Sequence, residues 1–458
     1  PGAITNAAAI IVDVETAEIR AWVGSADFSD TPGGGQVDVC RSLRSPGSAL
    51  KPFIYGYAME HNRLYPGEML CDGTLDYGRY SPENFNEGYA GLVPAGEALR
   101  RSFNIPAVAL LERIGFAKFC GFLPQIGIET VDKAPDYYGL GFALGSCGVR
   151  LEDMAAAYCM LARLGEYRPL QIREDAPRPA PRRCLSRGTC LALYEMLEQP
   201  LPGTFAADLA PTESGTARAC WKTGTSAGQK DAWTFVFNSR VVVGVWMGNN
   251  DAHGSDWIVG ADVALPLAAR LFRLMPAQDW AAWPEPGDSL KRVEVCALSG
   301  LPPGPWCPQT RSAWVPRDQY LLRRCAVHYP AEGMHGDTAR IAERWPGSPR
   351  TWDLGVARGM RDAELARAGA VKERHDELRI LHPADKSEYV LAGAIAGDQV
   401  RLRTSVDQGE RLDWYLDDRH IGTSGPDAPL VVDLTPGQHR LACMSAGGAV
   451  DAVTFTAN

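Results

Sequence analysis

Three short elements in this chain of 458 residues carry side chains suited to acyl transfer. The first is Ser48-Ala49-Leu50-Lys51. Residues three apart share a helix face, so the Lys51 amine can reach the Ser48 hydroxyl, and burial beside other cations would lower its pKa toward that of a usable base. The second, Ser102-Phe103-Asn104, stands at a break between two helical patterns, where Ser102 and Asn104 can turn into a cleft. The third, Lys222-Thr223-Gly224-Thr225, reads as a strand whose glycine admits a close substrate backbone and whose ammonium and hydroxyls suit a terminal carboxylate. Singly, each has a commoner use: S-x-x-K recurs by chance, S-x-N caps helices, and K-T-G-T is a polar strand end. Lys51, however, is the one lysine here with a serine three residues before it. Three such elements, in this order and each in a fitting local setting, point to one shared site with Ser48 as nucleophile.

The elements that must hold these groups follow from hydrophobic periodicity. Residues 7–24 read as two apolar strands joined at Glu15-Thr16, and Pro46-Gly47 punctuate a turn before a helix over 49–59, which puts Ser48 at a helix N-terminus. Helical spacing recurs at 95–103, 107–114 and 151–164, a lobe inserted between strands. Strands return at 218–225, 232–238 and 241–247, with a closing helix over 265–273. The stretch 276–350 is dense in Pro, Gly and Trp and reads as irregular linker. From 378 onward, short alternating segments separated by turn residues, among them EYVLAGAI, QVRLRTSV, RLDWYLDD and HRLACMSA, indicate a small immunoglobulin-like β-sandwich. The expected division is 1–290, 291–375 and 376–458.

Bulk properties bound the function. At 45% hydrophobic and 22% charged, the chain is globular in composition, which sets aside wholesale disorder and coiled coil. A net charge of −9 disfavours a general nucleic-acid binder. The best candidate for a membrane span, 258–272, is broken by Asp262 and Arg270. The start at Pro1, without a methionine or signal-like segment, reads as a mature fragment.

The longer context of the three elements, RSPGSALKPFIYGYAME, RRSFNIPAVALLERIG, LGSCGVRLEDMAAAY and KTGTSAGQKDAWTFVFNSRVVVGVWMGNND, resembles the transpeptidase domain of class A penicillin-binding proteins over residues 5–275. LRILHPADKSEYVL, RLDWYLDDRHIGT and PGQHRLACMSAGG resemble the C-terminal module of the 1C type within that family. The resemblance implies an α/β (α+β) penicillin-binding/serine-β-lactamase-like transpeptidase fold: an antiparallel sheet with an inserted helical lobe, then the sandwich. It implies a D,D-transpeptidase on the periplasmic face of the inner membrane, acylated by stem peptides ending in D-Ala-D-Ala and by β-lactams, without a cofactor. The glycosyltransferase domain and membrane anchor that precede this region in such proteins are expected to lie outside the present sequence. Carried over by motif, Ser48 is the nucleophile, Lys51 the base, and Ser102 with Lys222 the relay to the leaving amine. Asn104, Thr223, Gly224 and Thr225 bind substrate. A bacterial alpha-2-macroglobulin is the candidate partner of the C-terminal module. One departure from the family pattern is Cys147, after Gly145-Ser146.

Two rival functions remain at this level: a D,D-carboxypeptidase or β-lactam hydrolase of the same fold, in which water takes the acyl group, and a non-catalytic β-lactam sensor or wall-binding module. Twelve cysteines decide little about compartment. Cys296, Cys307 and Cys325, the last at C-x-x-H spacing from His328, allow zinc, but the irregular separations favour a disulfide between two of them and no metal. Cys184 and Cys190 form a second potential pair.

Overall fold

The structure is a computed structural model that describes residues 4–75, 81–85, 88–173, 179–202, 218–276, 279, 282–320, 323–330 and 341–343, and, nearer the C-terminus, 378, 380–383, 387–389, 399–404, 411–417, 419–424, 430–445 and 450–457. They fall into two compact units, one within 1–74 and 82–363, the other within 75–81 and 364–458.

The first unit opens with β1 (Asn6–Asp13) and β2 (Ile19–Val23), then the helix α1 (Lys51–Glu60). The inserted lobe comprises the short pair β3 (Met69–Asp72) and β4 (Gly91–Pro94), the helices α2 (Ala95–Arg100), α3 (Asn104–Ile114), α4 (Phe116–Phe122), α5 (Pro135–Tyr138) and α6 (Leu151–Ala162), the pair β5 (Glu166–Tyr167) and β6 (Arg182–Arg183), and α7 (Arg187–Leu197). The chain then returns to the sheet through β7 (Cys220–Thr225), β8 (Asp231–Phe237) and β9 (Val241–Gly248), and α8 (Leu265–Arg273) follows. All neighbours in the main sheet are antiparallel, in the order β2-β1-β9-β8-β7, so β7 is an edge.

Alternation along the strands gives the sheet two apolar faces. Ile11, Val236 and Val243 pack with Leu265, Ala268 and Phe272 of α8. On the other face Phe235 stacks on Tyr158 of α6, ring centroids 4.2 Å apart. Helix ends follow local chemistry: Pro52 occupies the first turn of α1, where a missing N–H costs nothing, and the Ser186 hydroxyl caps α7 by accepting the Thr189 N–H at 3.2 Å. Helical periodicity over 94–164 takes in α4 without giving it bounds of its own, and misses α7.

The stretch expected to be irregular contains a regular hairpin, β10 (Leu290–Cys296) with β11 (Thr310–Pro316), and a second pair, β12 (His328–Pro330) with β13 (Ile341–Glu343). It belongs to the first unit. Flanking Pro and Gly mask the alternation of Leu290–Cys296, whose exposed side is charged and whose inner residues Val295 and Cys296 are buried. A buried ion cluster ties this region to the lobe: Glu68 pairs with Arg113 at 2.8 Å and with Arg323. Burial alone would raise the Glu68 pKa, but the two guanidiniums hold it below the usual carboxylate value.

The second unit is sheet-rich. Its strands are β14 (Ile380–His382), β15 (Ser387–Tyr389), β16 (Gln399–Arg401), β17 (Arg403–Thr404), β18 (Leu412–Leu416), β19 (Arg419–Ser424), β20 (Val431–Asp433), β21 (Gly437–Ser445) and β22 (Val450–Ala457). Five form a sheet, β15-β22-β21-β18-β19, around a core with Trp414, whose indole N–H donates to Ser424 Oγ at 2.8 Å. Most of the EYVLAGAI segment lies outside the described residues.

Candidate active site

Ser48 sits on a single 3-10 turn, Gly47–Leu50, that runs directly into α1. Gly47 has φ +52°, and a Cβ there would lie 2.3 Å from the Thr225 carbonyl oxygen. Only glycine lets this turn press against the edge strand. The approach is reciprocal: a Cβ on Gly224 would lie 2.2 Å from the Pro46 carbonyl oxygen. Side chains fix the turn from behind. The Trp233 indole donates to Ser45 O at 2.7 Å, the Ser45 hydroxyl to Gly145 O at 2.6 Å, and the Tyr158 hydroxyl to Ala49 O at 2.8 Å. The half-buried Ser48 opens on a cleft of about 630 Å³ that Ser102, Asn104, Thr223, Gly224 and Thr225 also line.

Beneath this cleft lie two buried lysines. Lys51 is fully buried, and its Nζ donates to Ser102 O at 2.7 Å, Phe103 O at 3.1 Å and Asn104 Oδ1 at 2.7 Å. Burial, with the Lys222 charge added, pushes the Lys51 pKa well below that of a free lysine, against a smaller upward pull from Asp72. Its three oxygen partners favour the ammonium, but two are neutral carbonyls and one a neutral amide, so desolvation prevails. Lys222 donates to Ser102 Oγ at 2.8 Å and to Thr223 O at 2.9 Å, and burial lowers its pKa to about 7. Both ammonium ends therefore touch Ser102, one at its carbonyl and one at its hydroxyl. Ser102 meets this double demand with φ +62°, a strained backbone for an L residue.

Strand alternation separates the roles along β7. Lys222 and Gly224 are buried, whereas Thr223 and Thr225 are half-exposed. Thr225 Oγ1 accepts the Gly260 N–H at 3.0 Å, which leaves its own hydrogen to donate into the cleft. As an edge of the sheet, bridged to Glu198 at Cys220, β7 can also receive an extended peptide along its Thr223–Thr225 end.

Sequence reasoning missed the mount of Asn104. The fully buried Asp72 accepts two bonds from Asn84 Nδ2, at 2.8 and 3.0 Å, and the Ala90 N–H at 2.7 Å; Asn84 Oδ1 in turn accepts the Asn104 N–H at 2.8 Å. Asn104 Nδ2 donates to Glu83 O at 2.6 Å, leaving one amide hydrogen for a ligand. Asn84 stands in a polar loop sequence with no periodicity to single it out. Cys147 does not line this cleft, and burial pushes its thiol up to about 12, so it is an inert neighbour. Among the described residues, no Asp or Glu lines the cleft.

The sequence was also compared with known proteins. Residues 7–228 match the family model of the penicillin binding protein transpeptidase domain, and 367–455 that of the Penicillin-Binding Protein C-terminus Family. Penicillin-binding protein 1C of Escherichia coli (strain K12) is 35% identical over 318 residues, covering 68% of this chain and 40% of that protein. Penicillin-binding protein 1F of Bacillus subtilis (strain 168) is 32% identical over 54% of this chain and 36% of its own length. The chain thus spans less than half the length of these relatives. Among solved structures, Penicillin-Binding Protein 1A from Haemophilus influenzae aligns with TM-score 0.56 and 20% identity over 70% of this chain and 54% of that one. The penicillin-binding protein PonA1 from Mycobacterium tuberculosis aligns with TM-score 0.50 and 19% identity, over 65% and 82%. These likenesses establish the transpeptidase fold of the first unit.

Proposed function

Because the chain belongs to the penicillin-binding proteins and carries their transpeptidase domain, we propose that it is a peptidoglycan D,D-transpeptidase working through a Ser48 acyl-enzyme. Ser48 Oγ attacks the carbonyl carbon of the penultimate D-Ala while its proton passes to Lys51 Nζ. The backbone N–H groups of Ser48 and Thr225 hold the oxyanion, a term worth roughly 3 kcal/mol per donor. As the tetrahedral intermediate collapses, the C–N bond breaks and the terminal D-Ala leaves as an amine, protonated through Ser102 Oγ from Lys222. An acceptor amine then attacks the ester carbonyl, its displaced proton passes through Ser102 Oγ to Lys222, and as the C–O bond to Ser48 breaks Lys51 returns its proton to Ser48 Oγ. Thr223 and Thr225 grip the substrate carboxylate, and Asn104 orients the amide. A β-lactam places its strained amide and carboxylate in the same positions.

The observation that carries this reading is the pair of lysines flanking Ser102 beneath the Ser48 cleft, both with lowered pKa. Proton traffic near neutral pH needs such groups. The carboxylate-free lining among the described residues supports transfer over hydrolysis, since among them no carboxylate base stands ready to activate water. The site works on the extracytoplasmic side, where peptidoglycan lies; among the described residues no helix is long and apolar enough to cross a membrane. The second unit serves binding or spacing, with a bacterial alpha-2-macroglobulin as its candidate partner. Recovery of that partner by the whole chain but not by a chain lacking 376–458 is the expected result, and equal recovery would exclude it. The activity is tested with a synthetic D-Ala-D-Ala stem peptide and a supplied amine, products being resolved by mass. Amine-linked product is expected. Hydrolysed peptide alone would make the protein a carboxypeptidase, and acylation without turnover a sensor.

A further inference from the structure

Cys296, Cys307 and Cys325 are free thiols, as are Cys184 and Cys190, so the disulfides considered on sequence grounds are not formed. Three of them converge instead. Cys296 ends β10, Cys307 lies in the turn before β11, and Cys325 stands three residues before His328, the first residue of β12. Their sulfurs lie 3.6, 3.5 and 3.4 Å from one atom, His328 Nδ1, and the four ligand atoms are all within 4.8 Å of one another. Cys296, Cys325 and His328 are buried, and Cys307 is partly open to solvent.

Hydrogen bonding does not account for this arrangement. A neutral imidazole nitrogen has one lone pair and so accepts one hydrogen bond, whereas three thiols crowd it. A tetrahedral ion does account for it. With Zn–S near ~2.3 Å and Zn–N near ~2.05 Å, tetrahedral angles set the S···N edge at about 3.6 Å, the spacing found here. Two further features suit a metal. The Gly304 N–H donates to Cys307 Sγ at 3.2 Å, which stabilises a thiolate. On the other side of the ring, buried His328 Nε2 has no hydrogen-bond partner and faces Glu343 Oε1 at 3.9 Å, its cross-strand neighbour. A carboxylate behind a metal-bound imidazole is the usual way its tautomer and orientation are fixed.

We propose that Cys296, Cys307, Cys325 and His328 form a Cys3His site for a structural zinc ion. Four protein ligands close the coordination shell, so the ion serves the fold rather than the chemistry. It joins three chain segments and seals the small core in which Tyr65, Leu301 and Val327 pack with the cysteines. Through that core and the Met69 N–H to Ser299 O bond of 3.0 Å, it braces β3, the strand whose last residue is Asp72. Cys307, the most open ligand, marks the route of entry.

The test is metal analysis of the whole chain after equilibration with zinc chloride under reducing conditions and removal of unbound ion. One zinc per chain is expected, lost in both Cys307→Ser and His328→Ala. Cobalt exchange should give intense tetrahedral ligand-field bands with thiolate-to-cobalt charge transfer. If either variant fails to fold, the wild-type cobalt spectrum decides: thiolate charge transfer supports the site, and its absence refutes it. Zinc retained by both folded variants, or a disulfide between any two of the three cysteines in zinc-treated protein, would overturn the proposal.

Discussion

Gly47→Ala probes how the nucleophile is held. The added Cβ would lie 2.3 Å from Thr225 O, 2.6 Å from its carbonyl carbon and 2.8 Å from its nitrogen. All three atoms belong to the backbone of β7, so no side chain can rotate away. Ordinary contact begins at 3.4 Å, and the turn must therefore separate from the strand by 3.4 − 2.3, about 1.1 Å. A non-glycine residue at φ +52° adds about 1–2 kcal/mol of strain. Opening that gap pulls apart the Ser48 and Thr225 N–H groups that must hold one oxyanion. A misplacement of about 1 Å costs on the order of 100-fold in rate. Single-turnover labelling by a fluorescent penicillin measures the loss, and thermal unfolding measures the strain. A folded Gly47→Ala protein that acylates at the wild-type rate would refute the interlock of turn and edge strand.

Lys51→Ala should slow labelling by about 10²–10⁴-fold. In the wild type the rate should rise with pH as Lys51 loses its proton and level off below its free-lysine value of 10.5; a flat profile would remove Lys51 as the base. Lys222, at about 7 when folded and 10.5 when unfolded, binds fewer protons in the native state between those values. Stability should therefore rise from pH 7 toward 10.5, and Lys222→Met should flatten that rise in denaturant titrations; an unchanged slope would contradict the buried, neutral amine. Asn84→Ala strips two bonds from buried Asp72 and the acceptor from the Asn104 N–H. It should cost about 1.5–3 kcal/mol in denaturant unfolding and slow penicillin capture, while wild-type values in both would dismiss this mount.

The sequence was informative where short-range pattern and chemistry coincide. Ser48 and Lys51 lie one turn apart where the 3-10 turn runs into α1, and β8 and β9 are a near-continuous apolar run from Asp231 to Gly248 interrupted by a tight turn. What stayed hidden depends on contacts between distant segments. Asp72 and Asn84 acquire meaning only when the polar loop folds back on β3, and Cys296 and His328 meet only because β10 and β12 converge on one core. The irregular Cys spacing argued against zinc because ligands supplied by three separate turns leave no fixed interval. The hairpin of β10 and β11 was obscured by neighbouring Pro and Gly, which mark turns at either end of a strand as readily as the absence of one.

The central claim is that Ser48 is the acylated residue. Incubating the whole chain with a β-lactam, digesting it and locating the mass increment by peptide sequencing tests it directly. The increment should fall on Ser48, persist because no carboxylate in the described cleft lining activates water, and vanish in Ser48→Ala. A covalent adduct formed by Ser48→Ala at the wild-type rate, or an increment mapped to another residue of the wild-type chain, would contradict it.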